Sequence, residues 1–127
     1  LRLQLPVTAL LVVTIATGCA SESSSDGGPD VLVAEHPSEA TREAAVSGSM
    51  ELNGGCFVLI SEDGDWLIEW PYGSMLGDDA RSIEVPSFGT VYPGQDLTGS
   101  GGYSANSDRC ALEGLQGTVQ IDLLTTK

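Results

Sequence analysis

SMELNGGCFVLISEDGDWLIEW, residues 49–70, decides the fold, because it holds three apolar runs separated by two turn sequences. Asn53-Gly54 lies between the first two runs, and Asp63-Gly64 lies between the second and the third. Both dipeptides supply the positive backbone angles that tight hairpin turns require. The stretch therefore predicts a three-strand antiparallel meander.

The third run of this meander shows the alternation of a strand with one buried face. Trp66, Ile68 and Trp70 fall on one side, and Leu67 and Glu69 fall on the other. Because successive side chains of a strand point to opposite faces, we expect both tryptophans to face the core.

Outward from the meander, short alternating runs separated by Gly, Asn, Asp and Pro continue along the chain. They predict strands at 46–52, 56–61, 65–70, 82–85, 89–92, 96–100 and 117–124. The segment PYGSMLGDD (71–79) interrupts the sheet, and Gly99, Gly101 and Gly102 predict a sharp bend or bulges in a strand. We expect residues 46–127 to form a small all-β domain.

Five to seven strands with a glycine-bent segment favour a small antiparallel OB-like barrel, with a two-sheet sandwich as the alternative. The pieces around GGC, WPYG and GGY resemble small exported lipoproteins whose C-terminal domain is OB-like. The resemblance covers about 80 residues and implies no catalytic residues.

The N-terminus predicts an export signal over residues 1–18. LPVTALLVVTIAT (5–17) is apolar and uncharged, follows Arg2, and at about 13 residues is too short to cross a bilayer. The next residues, Ala16-Thr17-Gly18-Cys19, resemble the lipobox of bacterial lipoproteins, although Leu is commoner than Ala at the first of these positions. The resemblance implies cleavage between Gly18 and Cys19, a diacylglyceryl group on Cys19 and a further acyl chain such as palmitate. The alternative is an ordinary secretory leader with Cys19 incidental.

Residues 19–45 predict a flexible polar tether, since they are rich in Ser, Gly, Asp and Glu and cannot bury enough apolar surface to fold. Within them, 38–45 could form two marginal helical turns. His36, the only histidine, is interpreted as a solvated residue of this tether.

With Cys19 lipidated, Cys56 and Cys110 remain as a pair in an oxidising compartment, which predicts a structural disulfide. A redox pair is the alternative, but such cysteines usually lie two residues apart beside a helix.

Composition excludes several functions. The chain has 18 acidic and 5 basic residues and a net charge of −13, which disfavours nucleic-acid binding and electrostatic docking on membranes. Residues 46–127 contain no histidine, and their one lysine is Lys127, so the usual bases for a nucleophile and the usual zinc ligands are missing. We expect no enzyme and no cofactor; a small hydrolase using paired carboxylates is the third alternative.

Two sets of residues are candidates for a site. Tyr72, Tyr92 and Tyr103, with Phe88, could present a ligand surface for sugars, peptides or apolar ligands, or could fill the core. Oxygen ligands for calcium could come from Glu62, Asp63 and Asp65, or from Asp78 and Asp79, although acids in a hairpin turn ordinarily face water. The sequence thus predicts a lipid-anchored, extracytoplasmic module that binds an envelope ligand or protein without catalysis, with a calcium-stabilised structural domain as the alternative.

Overall fold

The computed structural model describes residues 28–38, 43–105 and 109–125. The predicted leader, its cleavage site and Cys19 lie outside these ranges. The described part is all β, with nine strands: β1 (Leu32–Val33), β2 (Ala44–Asn53), β3 (Cys56–Ser61), β4 (Gly64–Trp70), β5 (Met75–Leu76), β6 (Ile83–Val85), β7 (Gly89–Val91), β8 (Asp96–Ser104) and β9 (Leu115–Thr125).

Five of these strands close into a ring. Strand β2 pairs antiparallel with β3, β3 with β4, and β8 with both β2 and β9. Strands β4 and β9 pair in parallel and complete the circle. Strands β5, β6 and β7 form a separate antiparallel sheet inserted between β4 and β8. The predicted small OB-like barrel is therefore confirmed, and the two-sheet sandwich is not what forms.

The first hairpin turn lies one residue later than the sequence predicted. Asn53 pairs with Cys56, so the two loop residues are Gly54 and Gly55, with φ of 58° and 81°. Two adjacent glycines accept these angles without a steric penalty, so Asn53 stays in the strand. In the second hairpin the positive φ falls on Gly64, as the Asp63-Gly64 dipeptide indicated.

The main core fills the barrel interior with apolar side chains from the ring and from the small sheet. Phe57 and Trp70 meet edge to face with ring centroids 6.4 Å apart. Trp66 is half-buried and packs against the same cluster, so both tryptophans face the core as expected. The buried members are Val46, Met50, Phe57, Leu59, Ile68, Trp70, Ile83, Val85, Val91, Leu97, Val119, Ile121 and Leu124.

An N-terminal arm, residues 30–34, is bound to the barrel. Asp30 N donates to Gly55 O at 2.9 Å, and Ala34 N donates to Trp70 O at 3.0 Å. Between them, β1 runs parallel to the end of β4. These residues fall in the stretch 19–45 that the sequence interpreted as a tether; the apolar run VLV binds there because it buries side chains against both core clusters.

The start of β2 also differs from the helical turns considered for 38–45. Ala44 and Ala45 are in the extended strand and pair with Gly101 and Ser100 of β8. Sheet pairing supplies tertiary hydrogen bonds that an isolated two-turn helix lacks, so it prevails over helix propensity.

Strand β8 bends where its glycines lie. A Cβ on Gly99 would clash with the carbonyl of Leu123, and one on Gly101 would clash with the carbonyl of Gln120. The register of β8 against β9 shifts between Ser100 and Gly101. The predicted bend and bulge are thus confirmed, and the glycines allow β9 to approach this closely.

Candidate functional site

Other segments of the protein cover part of the outer face of β3 and β4. Val58 and Leu67 are cross-strand partners on this face, and both are buried. Leu32 from the arm, Leu112 from the connection between β8 and β9, and Leu115 at the start of β9 pack over them. OB barrels commonly bind oligonucleotides and oligosaccharides on the face of the corresponding strands. In this chain the part of that surface around Val58 and Leu67 is apolar and covered, whereas Ile60, further along β3, is 37% exposed.

A disulfide holds the β8–β9 connection against this face. Cys56, the first residue of β3, bonds to Cys110 in the β8–β9 connection, with 6.3 Å between the two Cα atoms. Both cysteines are buried in the same cluster as Val58 and Leu67. The disulfide predicted from the cysteine count is confirmed.

A groove of about 870 Å³ opens on the adjacent outer surface, across β2, β8 and the β3–β4 turn. We call it the acidic groove, because the charged side chains that line it are Glu62, Asp63 and Asp96. Its lining comprises residues 45, 47–49, 60–63, 96–98 and 103. No lysine, arginine or histidine of the described chain is among them.

The groove arises where β2 changes partners. Ser49 pairs with Asp96 of β8 on one side and with Ile60 of β3 on the other. Before Ser49 the strand pairs with β8, and after it with β3, so the outer surface is concave at this point. The floor carries the small residues Ala45, Ser47, Gly48 and Ser49, while the β3–β4 turn supplies one wall.

Tyr103 lies at this groove and is held in place on two sides. Its hydroxyl donates to Ala45 O at 2.9 Å, and its ring meets Trp66 at an angle of 63° with centroids 4.6 Å apart. Burial and the negative charge of Asp63 raise the pKa of the Tyr103 phenol above its ordinary value. The side chain is still 41% exposed, so a fixed aromatic ring borders the carboxylates.

The predicted calcium ligands are not gathered at one place. Glu62 and Asp63 line the groove, whereas Asp65 lies in β4 opposite Ile60 and is not part of the lining. Within residues 28–38, 43–105 and 109–125, no group of three or more His, Cys, Asp or Glu side chains is arranged to hold a metal ion.

Asp78 and Asp79 lie instead in the turn before β6. Asp79 Oδ1 accepts hydrogen bonds from Arg81 N at 3.0 Å, Ser82 N at 2.9 Å and Ser82 Oγ at 2.8 Å. These donors, the Arg81 amide first, lower the pKa of the Asp79 carboxyl. The carboxylate therefore acts as a turn cap.

The tyrosines that the sequence grouped as one ligand surface are at different places. Tyr103 lines the acidic groove, and Tyr72 lines a second pocket described below. Tyr92 belongs to neither and lies at the turn before β8, where its backbone amide bonds to Gln95 Oε1. Phe88 is half-buried against the main core. Asp96 was not among the site residues predicted from the sequence. The alternation of polar and apolar residues in β8 was the only signal that could have indicated it.

The fold defines the class of this protein as an OB-like barrel with an inserted three-stranded sheet and one disulfide. No protein-family model, curated protein or solved structure matches the chain. Among the described residues, no helix is long and apolar enough to cross a membrane.

Proposed function

We propose that this protein is a lipid-anchored, extracytoplasmic binding module that takes a cationic segment of an envelope partner into the acidic groove. The observation that carries the proposal is the lining of the groove: three carboxylates and a fixed aromatic ring, with no positive side chain. A chain of net charge −13 adds a long-range attraction for the same kind of partner.

The chemistry of the lining favours a cation with several charges. Each exposed carboxylate contributes only about 0.2–1 kcal/mol to an ion pair in water, so useful affinity requires more than one contact. Tyr103 adds a ring to which an ammonium or guanidinium group can bind through a cation–π interaction. Serine and threonine hydroxyls on the floor and wall can bond the backbone of an extended segment. A basic peptide segment matches all three features.

The lipid anchor is proposed from the leader and the Ala16-Thr17-Gly18-Cys19 motif. Two acyl chains on Cys19 hold a protein stably at a membrane where one chain is marginal. The measurement is membrane fractionation of the Cys19→Ala variant of the full-length chain. We expect loss of lipid labelling and release from the membrane; a processed variant that stays fully membrane-bound would refute the anchor.

A non-catalytic role is proposed because residues 46–127 lack a histidine and have lysine only at position 127. Carboxylates in an open groove can attract and bind a cationic partner. The groove lining, however, contains no histidine or lysine of the described chain that could act as the base for a nucleophile.

Binding to the groove is tested with fluorescent hexalysine as the probe, by anisotropy at low and at physiological salt. The Glu62→Gln/Asp63→Asn variant removes two groove charges, and Asp78→Asn/Glu84→Gln removes the same number and types from exposed positions elsewhere. We expect the groove variant to weaken binding at least about threefold more than the control variant. Equal weakening by both variants would mean that net charge alone attracts the peptide, and no binding even at low salt would refute the cationic ligand.

A further inference from the structure

A second pocket, of about 360 Å³, lies beside β9 at the point where β4 ends. We call it the proline pocket, because Pro37, Pro71 and Pro86 contribute to its walls. They come from three different segments: the chain after the arm, the β4–β5 turn and the β6–β7 turn. The volume lies within the range of small-molecule sites.

The pocket forms because β4 leaves the ring before β9 does. The pairing of these strands ends at Glu69 opposite Gln120, and Pro71 then turns the chain away. In the described residues, β9 continues to Thr125 with β8 as its strand partner. The space left alongside β9 is enclosed by the two turns and by residues 34–38.

The walls of the proline pocket are held in place before any ligand arrives. Proline fixes its own φ near −65°, so these three wall residues lose little freedom on binding. Ala34, which lines the pocket, is bonded through its N to Trp70 O at 3.0 Å. The β4–β5 and β6–β7 turns are packed so closely that a Cβ on Gly73 would lie 3.1 Å from Pro86 Cγ.

The lining combines an aromatic ring with groups that both donate and accept hydrogen bonds. Tyr72 is 52% exposed and offers ring surface beside the proline rings. Gln120 supplies an amide donor and an amide acceptor, and the imidazole nitrogens of His36 can also form hydrogen bonds. Asp122 adds a carboxylate to the lining, which can accept hydrogen bonds from hydroxyl groups, and no lysine or arginine of the described chain lines the pocket. This set suits an uncharged molecule with an apolar face and a hydroxyl rim, which is the surface of a sugar ring.

We propose that the proline pocket binds one unit of an uncharged saccharide, with the Tyr72 ring against the apolar face of the sugar and Gln120 and His36 bonded to its hydroxyls. The site does not depend on the acidic groove, which differs in its lining residues and in the charge of its ligand. Through this pocket the module would contact a glycan while the groove holds a basic segment.

The test uses uncharged trimers of N-acetylglucosamine and of glucose, titrated into isotopically labelled protein and followed by NMR. We expect one of the trimers to shift the Tyr72 ring and the Gln120 side-chain amide. Tyr72→Ala should weaken that binding about tenfold, or ~1.4 kcal/mol, whereas Tyr72→Phe should retain most of it because the ring is preserved. Tyr92→Ala is the matched control, since Tyr92 is 54% exposed and lies outside the pocket.

Three outcomes would overturn the site. The first is the absence of pocket shifts with either trimer at millimolar concentration. The second is an equal loss with Tyr72→Ala and Tyr92→Ala, which would indicate nonspecific stacking on exposed tyrosines. The third is a normal affinity in Tyr72→Ala protein whose backbone spectrum is unchanged. Hexalysine binding, measured on the same Tyr72→Ala protein, separates failure of this pocket from failure of the acidic groove.

Discussion

Removing the Cys56–Cys110 disulfide should strongly destabilise the barrel. The bond joins residues 54 positions apart. In the chain-entropy model a closed loop of that length restricts the unfolded chain by about 4 kcal/mol. That is a large share of the ~5–15 kcal/mol that a small domain has in total.

The expected size of the effect follows from the ordered part of the chain. In a domain of 60–100 residues, a change of 1 kcal/mol in the free energy of unfolding shifts Tm by about 4–8 °C. Loss of the disulfide should therefore lower Tm by ~16–32 °C. A local effect accompanies it. Leu112 and Leu115 cover Val58 and Leu67, and the bond holds that cover against β3. Reduction should therefore expose the covered face before the ring itself opens.

The assay compares three samples by thermal and urea unfolding: the oxidised protein, the same protein in excess dithiothreitol, and the Cys56→Ala/Cys110→Ala variant. The reduced protein keeps both side chains, so it separates loop closure from the loss of buried sulfur. Amide hydrogen exchange of residues 111–115 reports the local release. If reduction lowers the free energy of unfolding by less than ~1 kcal/mol, the unfolded chain is already compact and the entropic argument is wrong.

Four further predictions concern single residues. Gly101→Ala should cost about 1–3 kcal/mol because its Cβ meets the Gln120 carbonyl, while Ser100→Ala in the same strand should change little; equal urea midpoints would contradict the close approach. Tyr103→Phe should cost ~0.5–1.5 kcal/mol through the lost bond to Ala45 O. Because the folded pKa of Tyr103 is raised above 10.0, the native protein should lose stability as pH rises through and beyond that value, and the Phe variant should lose less. Asp79→Asn should lower Tm at neutral pH and flatten the loss of stability below pH 3.8. The reason is that the lowered pKa of Asp79 stabilises the fold above that pH, and this contribution is lost as pH falls through the pKa of the folded state. An unchanged dependence of stability on acid pH would count against the cap. Ser74→Ala should leave the unfolding free energy within ~0.5 kcal/mol, because its buried hydroxyl has no hydrogen-bond partner in the described structure, and a loss above ~1 kcal/mol in urea unfolding would point to a bound water.

The larger strands were predictable because each has a local signal. Alternation and turn dipeptides predicted the bounds of seven strands to within a few residues: β2, β3, β4, β6, β7, β8 and β9. The two-residue strands β1 and β5 were missed, since two residues show no alternation. The glycines of β8 indicated the bend, because only close backbone approach or a bulge requires them there.

The candidate sites were less predictable, because a groove depends on strands that are distant in the sequence. The turn acids Glu62 and Asp63 were noted as candidate metal ligands, but they share a groove with Asp96 because Ser49 pairs with both β3 and β8. Similarly, His36 was interpreted as a tether residue, and it lines a pocket because the preceding arm pairs with β4.

The sequence by itself determined the all-β class, the meander and the disulfide, because periodicity, turn chemistry and cysteine number are local or countable properties. It favoured a barrel but left a two-sheet sandwich as the alternative. Only the tertiary structure decided which surfaces are open. Ring closure placed the β8–β9 connection over the outer face of β3 and β4, and the offsets of β2 and β9 against their neighbours created the acidic groove and the proline pocket. The physical reason is that register and strand length set these offsets, and both depend on contacts between residues that lie far apart in the chain.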